Sequence, residues 1–207
     1  MNDRDKVQHE TVSRSGAGRY IFLAGALLLL SACNPVYDQA IARSTVERSQ
    51  HSNSPVHNMI TRDLEFGQEW LNQPDVETLQ IKADDGTSLV GYFKPNGLAK
   101  KKIAILVHGH RVDARMMARY AALYQDLGFD VLLVDNRAHG RSGGEAIGMG
   151  WLDRLDLKRW TTTLLDRFGK NTEIVLHGVS MGGAAVMMLS GEDDLHPQVK
   201  AIVEDSG

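Results

Sequence analysis

From residue 103 onward, short stretches in which every residue is apolar alternate with longer stretches of helical spacing. The runs 103–107, 131–134, 174–176 and 201–203 show no polar face. A strand of that kind is buried on both sides, which is the habit of a parallel sheet covered by helices. Between these runs lie 114–127, closed by Gly128, and 151–168, closed by Gly169, and Asp113 stands where a helix N-cap belongs. Upstream the period changes. Leu79, Ile81 and Ala83 alternate with polar residues, and Asp84-Asp85-Gly86-Thr87 separates the segment 76–83 from 89–94, which predicts an antiparallel hairpin. Ile60, Leu64 and Trp70 are spaced for a short helix over 59–71. An antiparallel hairpin followed by strand–helix alternation predicts an α/β sandwich with helices on both faces of a mostly parallel sheet.

The chain has 207 residues, 43% of them hydrophobic, enough for one domain with a substantial core. Net charge is −3, so nothing in the composition attracts a phosphate backbone, and no nucleic-acid partner is expected. The polar stretch 34–58, with Pro35 and Pro55, reads as a tether with a helical patch around 37–47.

The N-terminus changes the picture. An apolar run over 20–30 follows Arg14 and Arg19 and leads into Ser31-Ala32-Cys33. The run is well short of the roughly 20 residues that span hydrocarbon, so residues 1–33 read as a signal peptide. Leu30-Ser31-Ala32-Cys33 resembles a bacterial lipobox, in which the cysteine is lipidated and becomes the first mature residue. Thiolate nucleophilicity is what that modification requires. Asn34 beside Cys33 resembles the lipoproteins sent to the outer membrane. An ordinary cleaved signal or an uncleaved anchor are the alternatives, and each places the bulk of the chain outside the cytoplasm. The expectation is a cell-envelope protein, held at the outer membrane through Cys33 and facing the periplasm. Cys33 is the only cysteine, which excludes a disulfide within the chain.

Candidate chemistry centres on Ser180. It lies in Gly178-Val179-Ser180-Met181-Gly182, directly after a predicted strand and before the helix-like stretch 183–189. A serine hydroxyl is a weak nucleophile near neutral pH, and a sharp strand-to-helix turn is one way to expose Oγ to a base and a substrate. Gly178 and Gly182 supply that turn because they lack the Cβ atoms that would collide there. Two other strand ends open on the same rim of a parallel sheet. One carries His108-Gly109-His110, and the other runs from Asp135 to Gly143 as D-N-R-A-H-G-R-S-G.

Taken in order, H-G-H, D-N-R-A-H-G-R-S and H-G-V-S-M-G-G resemble the α/β-hydrolase superfamily, in particular its serine-aminopeptidase-like and dienelactone-hydrolase-like branch. The resemblance runs over 76–207. It implies Ser180 as nucleophile, the backbone N–H groups of His110 and Met181 as oxyanion hole, and small acyl or peptide substrates, with no metal or other cofactor. Esters, thioesters or peptide bonds are the expected targets, and a catalytically inactive envelope lipoprotein using the fold as a binding module is the alternative.

The other rim residues have plainer readings. His108 and His177 each precede a turn glycine and are expected to be hydrogen-bonded structural residues, and the resemblance implies that His139 shapes the rim. Arg137 and Arg141 either bind an anionic substrate group or tie down a loop. Asp153 and Asp156 favour the dipole of the helix they open, and Met116, Met117, Met181, Met187 and Met188 fill core gaps or floor an acyl pocket.

Triads on this fold follow the order Ser, acid, His. His196 is the only histidine after Ser180, and it precedes the last strand, at the opposite end of the sheet. Asp205 is a conceivable acid. The resemblance places acid and histidine after later strands, so the expectation is an incomplete hydrolase domain over 59–207. It lacks the last strands and helices, and its apolar edge strand is prone to bind hydrophobic dyes.

Overall fold

The computed structural model describes residues 35–44, 54–99 and 101–207. The predicted signal peptide and Cys33 lie outside the described residues. Residues 35–41 are helical, so the helical patch expected around 37–47 ends before Ala42, and 41–207 form one compact unit. Among the described residues no helix is long and apolar enough to cross a membrane.

The fully apolar runs become the centre of a six-stranded sheet. In chain order the elements are α1 (Pro55–Leu71), β1 (Glu77–Lys82), β2 (Ser88–Lys94) and β3 (Lys102–Val107). A 3₁₀ turn (Ala114–Met117), α2 (Ala118–Asp126), β4 (Asp130–Asp135) and α3 (Asp153–Phe168) follow, then β5 (Glu173–Val179), α4 (Met181–Ser190) and β6 (Val199–Asp205). Strand order is β1-β2-β4-β3-β5-β6. β1, β2 and β4 pair antiparallel, and β4, β3, β5 and β6 pair parallel. This is the α/β sandwich that the strand–helix alternation predicts.

Each face of the sheet carries its own core, because successive side chains of a strand point to opposite sides. On one face Ile103, Ile105, Val107, Leu132 and Leu176 pack with Trp160 and Leu164 of α3 and Val186 of α4. On the other, Ala104, Leu106 and Leu133 pack with Met117, Ala121 and Tyr124 around α2. Trp160 is 1% exposed. Trp160→Ala is expected to cost about 3–5 kcal/mol, read as a lower denaturant midpoint; a change under about 1 kcal/mol would mean that the face it fills collapses freely.

Several boundaries differ from expectation for local reasons. α1 begins at Pro55 rather than Met59, because Ser54 caps it: its Oγ accepts from the His57 N–H at 3.1 Å, and proline suits the first turn. The segment before the second helix opens as a 3₁₀ turn with Asp113 as cap, its carboxylate accepting from Arg115 N–H. α3 begins at Asp153 rather than residue 151. Gly150 there adopts φ 83° and donates its N–H to Asp153 Oδ2 at 2.8 Å. The polar stretch 34–58 also contains a docked piece: Ala42 bridges Ala146, and Arg43 N–H donates to the Glu145 carbonyl at 3.1 Å.

Candidate active site

Ser180 occupies the junction between β5 and α4 with φ 53° and ψ −118°. A non-glycine residue held at positive φ costs of order 1–3 kcal/mol and persists only where its surroundings impose it. The surroundings here do so. Ser180 N–H donates to the Asp205 carbonyl at 2.7 Å, and the Ser180 carbonyl accepts from Ala184 N–H at 3.0 Å. A Cβ on Gly178 would come under 3 Å of the Gly182 carbonyl, and one on Gly182 under 3 Å of the Val107 and His108 carbonyls. The two glycines thus let the turn fold on itself and let α4 press against the end of β3. Although Ser180 sits at the N-cap position, its side chain makes no capping bond to α4.

The loop after β3 passes directly beside the serine. A Cβ on Gly109 would stand 3.3 Å from Ser180 Cβ and 3.9 Å from Oγ. His110 follows on that loop. Met181 is the first residue of α4, where backbone N–H groups have no intrahelical acceptor and the helix dipole favours negative charge. Its side chain is buried with Ala138 and Ile147. The sequence-predicted residues Ser180, Met181, Gly178, Gly182 and His110 therefore converge on one rim of the sheet, whereas Cys33 lies outside the described residues.

Two of the remaining rim histidines, His108 and His139, are held by backbone hydrogen bonds and are structural, as expected. His108 Nδ1 donates to the Gly109 carbonyl at 2.7 Å, and Nε2 accepts from Asn136 N–H at 3.0 Å. His139 Nδ1 donates to the Arg137 carbonyl at 2.9 Å, and Nε2 accepts from Arg111 N–H at 3.2 Å. Burial lowers both imidazoles from the usual 6.5 to about 4, so each is neutral with both nitrogens committed to backbone. His177 departs from the hydrogen-bonded role expected of it: it is buried against the rings of Tyr120 and Tyr124, at 4.7 and 5.7 Å between centroids, and among the described residues neither ring nitrogen has a hydrogen-bond partner. His196 Nε2 contacts Thr162 Oγ1 of α3 at 2.9 Å, on the residues leading into β6. Asp205 accepts from the Tyr120 hydroxyl at 2.8 Å through Oδ2.

A pH dependence follows from the two neutral histidines. Their folded pKa values lie below the unfolded value, so their contribution is complete above pH 6.5 and is lost as pH falls toward 4. Asp153 acts oppositely. Burial raises its carboxyl to about 6, so its ionisation destabilises the fold as pH rises from about 4 through 6. Burial raises Asp135 and Asp156 in the same sense as Asp153 and lowers His177 in the same sense as the two histidines, so the net slope is a sum of opposing groups and the imidazoles are read individually. In an NMR titration the His108 and His139 rings are expected to be neutral still at about pH 5.5, where a free imidazole is mostly charged; a protonated ring at both positions at that pH would refute the neutral assignment.

Of the two open readings of Arg137, the structure selects the loop tie. Its guanidinium grips Asp156 through Nε and Nη2 at 2.8 and 2.7 Å, and Asp85 in the hairpin turn through Nη1 at 2.9 Å. Asp156 thus anchors a buried ion pair, a larger role than favouring a helix dipole. The methionines divide. Met117 and Met181 are buried, Met116 lines a cavity of about 480 Å³ with Val112, Tyr120, Leu123 and Val179, and Met187 and Met188 are exposed. The reading of all five as core or pocket residues is corrected for Met187 and Met188, which lie on the outer side of α4.

Asp135 is a residue that the sequence does not single out. Its carboxylate accepts from Ala114 N–H at 3.0 Å, from Arg141 N–H at 2.8 Å and from the Tyr92 hydroxyl at 3.2 Å. It binds the two loops flanking the site to the end of β4. An aspartate closing a wholly apolar strand at the functional rim was the signal available.

Against known proteins, residues 99–204, just over half of the chain, match the model of the serine aminopeptidase S33 family. The chain belongs to that family. Among sequence relatives, this S33 family member is 31% identical over 135 residues to YfhR of Escherichia coli K12, covering 63% of this chain and 46% of that one. It is 32% identical over 87 residues to YqkD of Bacillus subtilis, covering 42% and 28%. Among solved structures, the Pf2001 esterase of Pyrococcus furiosus superposes with a TM-score of 0.58 at 26% identity, covering 80% of this chain and 57% of that one. An α/β hydrolase from Vibrio vulnificus shares the fold, with a TM-score of 0.53 at 23% identity, covering 79% of this chain and 61% of that one. The chain spans less than half the length of both of these sequence relatives. The fold of this S33 family member is the α/β-hydrolase fold, and its family is one of hydrolases.

Proposed function

We propose that the chain carries the nucleophile and oxyanion-binding part of a serine hydrolase acting on ester, thioester or peptide bonds. The observation that carries this reading is the strained backbone of Ser180, held at positive φ between β5 and α4 without a capping bond from its hydroxyl. In this reading Oγ attacks the substrate carbonyl as its proton passes to a general base. The N–H groups of Met181 and His110 stabilise the oxyanion, a donor typically being worth about 3 kcal/mol in the transition state. Collapse expels the alcohol, thiol or amine, and water releases the acyl group. His108, His139 and His196 are not assigned as the base, since their contacts commit them elsewhere. The expected result is hydrolysis of p-nitrophenyl acetate by the full-length protein above the level of Ser180→Ala. Equal rates for the two would overturn the reading.

The same histidine contacts favour a second reading, an envelope lipoprotein that keeps the fold as a binding module. In either case Cys33 is proposed to carry the lipid anchor. Metabolic labelling with palmitate should mark the wild-type protein and not Cys33→Ser; label on both would remove the anchor from Cys33.

A further inference from the structure

We infer that Arg43 is a positioning residue for the oxyanion hole, fastening the loop over 138–147 that braces both proposed donors. The inference rests on the serine hydrolase reading for its catalytic consequence, but its structural part stands alone. Residues 41–44 lie along that loop as a strap. Ala42 bridges Ala146 in antiparallel sense, Ile147 N–H donates to the Ile41 carbonyl at 2.6 Å, and Ser44 N–H donates to the Ala138 carbonyl at 2.8 Å.

Arg43 adds what backbone pairing cannot. Its Nη1 donates to the Ser142 and Gly144 carbonyls at 2.8 and 3.1 Å, and its Nη2 to the Gly140 carbonyl at 3.0 Å. The planar guanidinium presents several donors in one fixed fork, so it joins three carbonyls that a single-point ammonium cannot hold together. The loop needs such a clasp because it turns tightly: Ala138, Gly140 and Gly144 all have positive φ, at 58°, 47° and 98°. Ala138 in particular bears a Cβ and is strained there.

From the clasp, two short contacts lead to the site. Ala138 and Ile147 are the residues packed against Met181, the first residue of α4. His139, between Ala138 and Gly140, accepts the N–H of Arg111 at 3.2 Å, and its ring meets that of His110 at 6.4 Å between centroids. Arg111 itself has φ 60°, so the bond to His139 helps hold the backbone immediately after His110 in an unfavoured conformation. Loosening the loop would therefore free both backbone segments that are proposed to face the oxyanion. Arg43 touches neither substrate nor reacting atoms in this scheme; it acts through the loop.

The test compares wild type, Arg43→Ala and Arg43→Lys of the full-length protein by amide hydrogen exchange and by the rate at which a fluorophosphonate modifies the serine. In Arg43→Ala the Arg111 and Ile147 amides are expected to exchange at least tenfold faster, while amides of β3 and β5 keep wild-type protection, which establishes that the variant is folded. The modification rate should fall about tenfold, Arg43→Lys should recover little of it, and millimolar ethylguanidine should restore part of it in Arg43→Ala. Unchanged exchange at Arg111, or full recovery by lysine, would overturn the positioning role. A wild-type protein that never reacts with the probe would defeat the hydrolase reading, and the exchange comparison would still decide the strap.

Discussion

Gly182→Ala is expected to destabilise the domain by about 3 kcal/mol or more, a large effect for the addition of one methyl group. The new Cβ would come under 3 Å of two backbone carbonyls, those of Val107 and His108. Backbone at the centre of a parallel sheet cannot retreat as a flexible side chain does, so α4 must lift from β3. That movement carries Met181 and Ser180 with it. The variant should therefore lose denaturant stability and, if the proposed function holds, serine reactivity together. Gly191→Ala is the control, since its nearest added contact is an ordinary 3.7 Å. A Gly182→Ala protein with wild-type stability and reactivity would show that the end of α4 is not pressed against β3.

Arg137→Met should cost about 3–5 kcal/mol, because it leaves a buried carboxylate without its counter-charge. Asp156 is 5% exposed and Arg137 is 6% exposed. Removing the cation leaves Asp156 to take up a proton or to draw in water, whereas Asp85, half exposed at the surface, rehydrates. The double variant Arg137→Met/Asp156→Leu removes both charges and should recover most of the loss, as replacement of a whole buried pair by apolar groups commonly does. Urea denaturation of the single and double variants reads the difference. A single variant within about 1 kcal/mol of wild type would place the pair in effect at the surface.

The strands that carry the site were legible in the sequence because burial on both faces leaves no room for polar residues, as in the run from Ile103 to Val107. The Ser180 turn was legible for a related reason, since the sharp reversal demands glycine on either side. Helix starts were less so. The Ser54-Pro55 cap was readable but was outweighed by the apolar spacing farther along, which begins near Ile60. Asp135 and Arg137 become informative only once folding brings Ala114, Tyr92 and Asp156 to them from distant parts of the chain. Arg43 gave no signal at all. It lies in a polar stretch read as a tether with a helical patch, and its role exists only because residues about a hundred positions away turn their carbonyls toward it.

The central claim is that the strained turn makes Ser180 a reactive nucleophile. Treating the full-length protein with a fluorophosphonate and locating the adduct by peptide mass spectrometry tests it most directly. One adduct is expected, on the peptide containing Ser180, and none on Ser180→Ala. No adduct on the wild-type protein, or an adduct that survives Ser180→Ala, would contradict the claim.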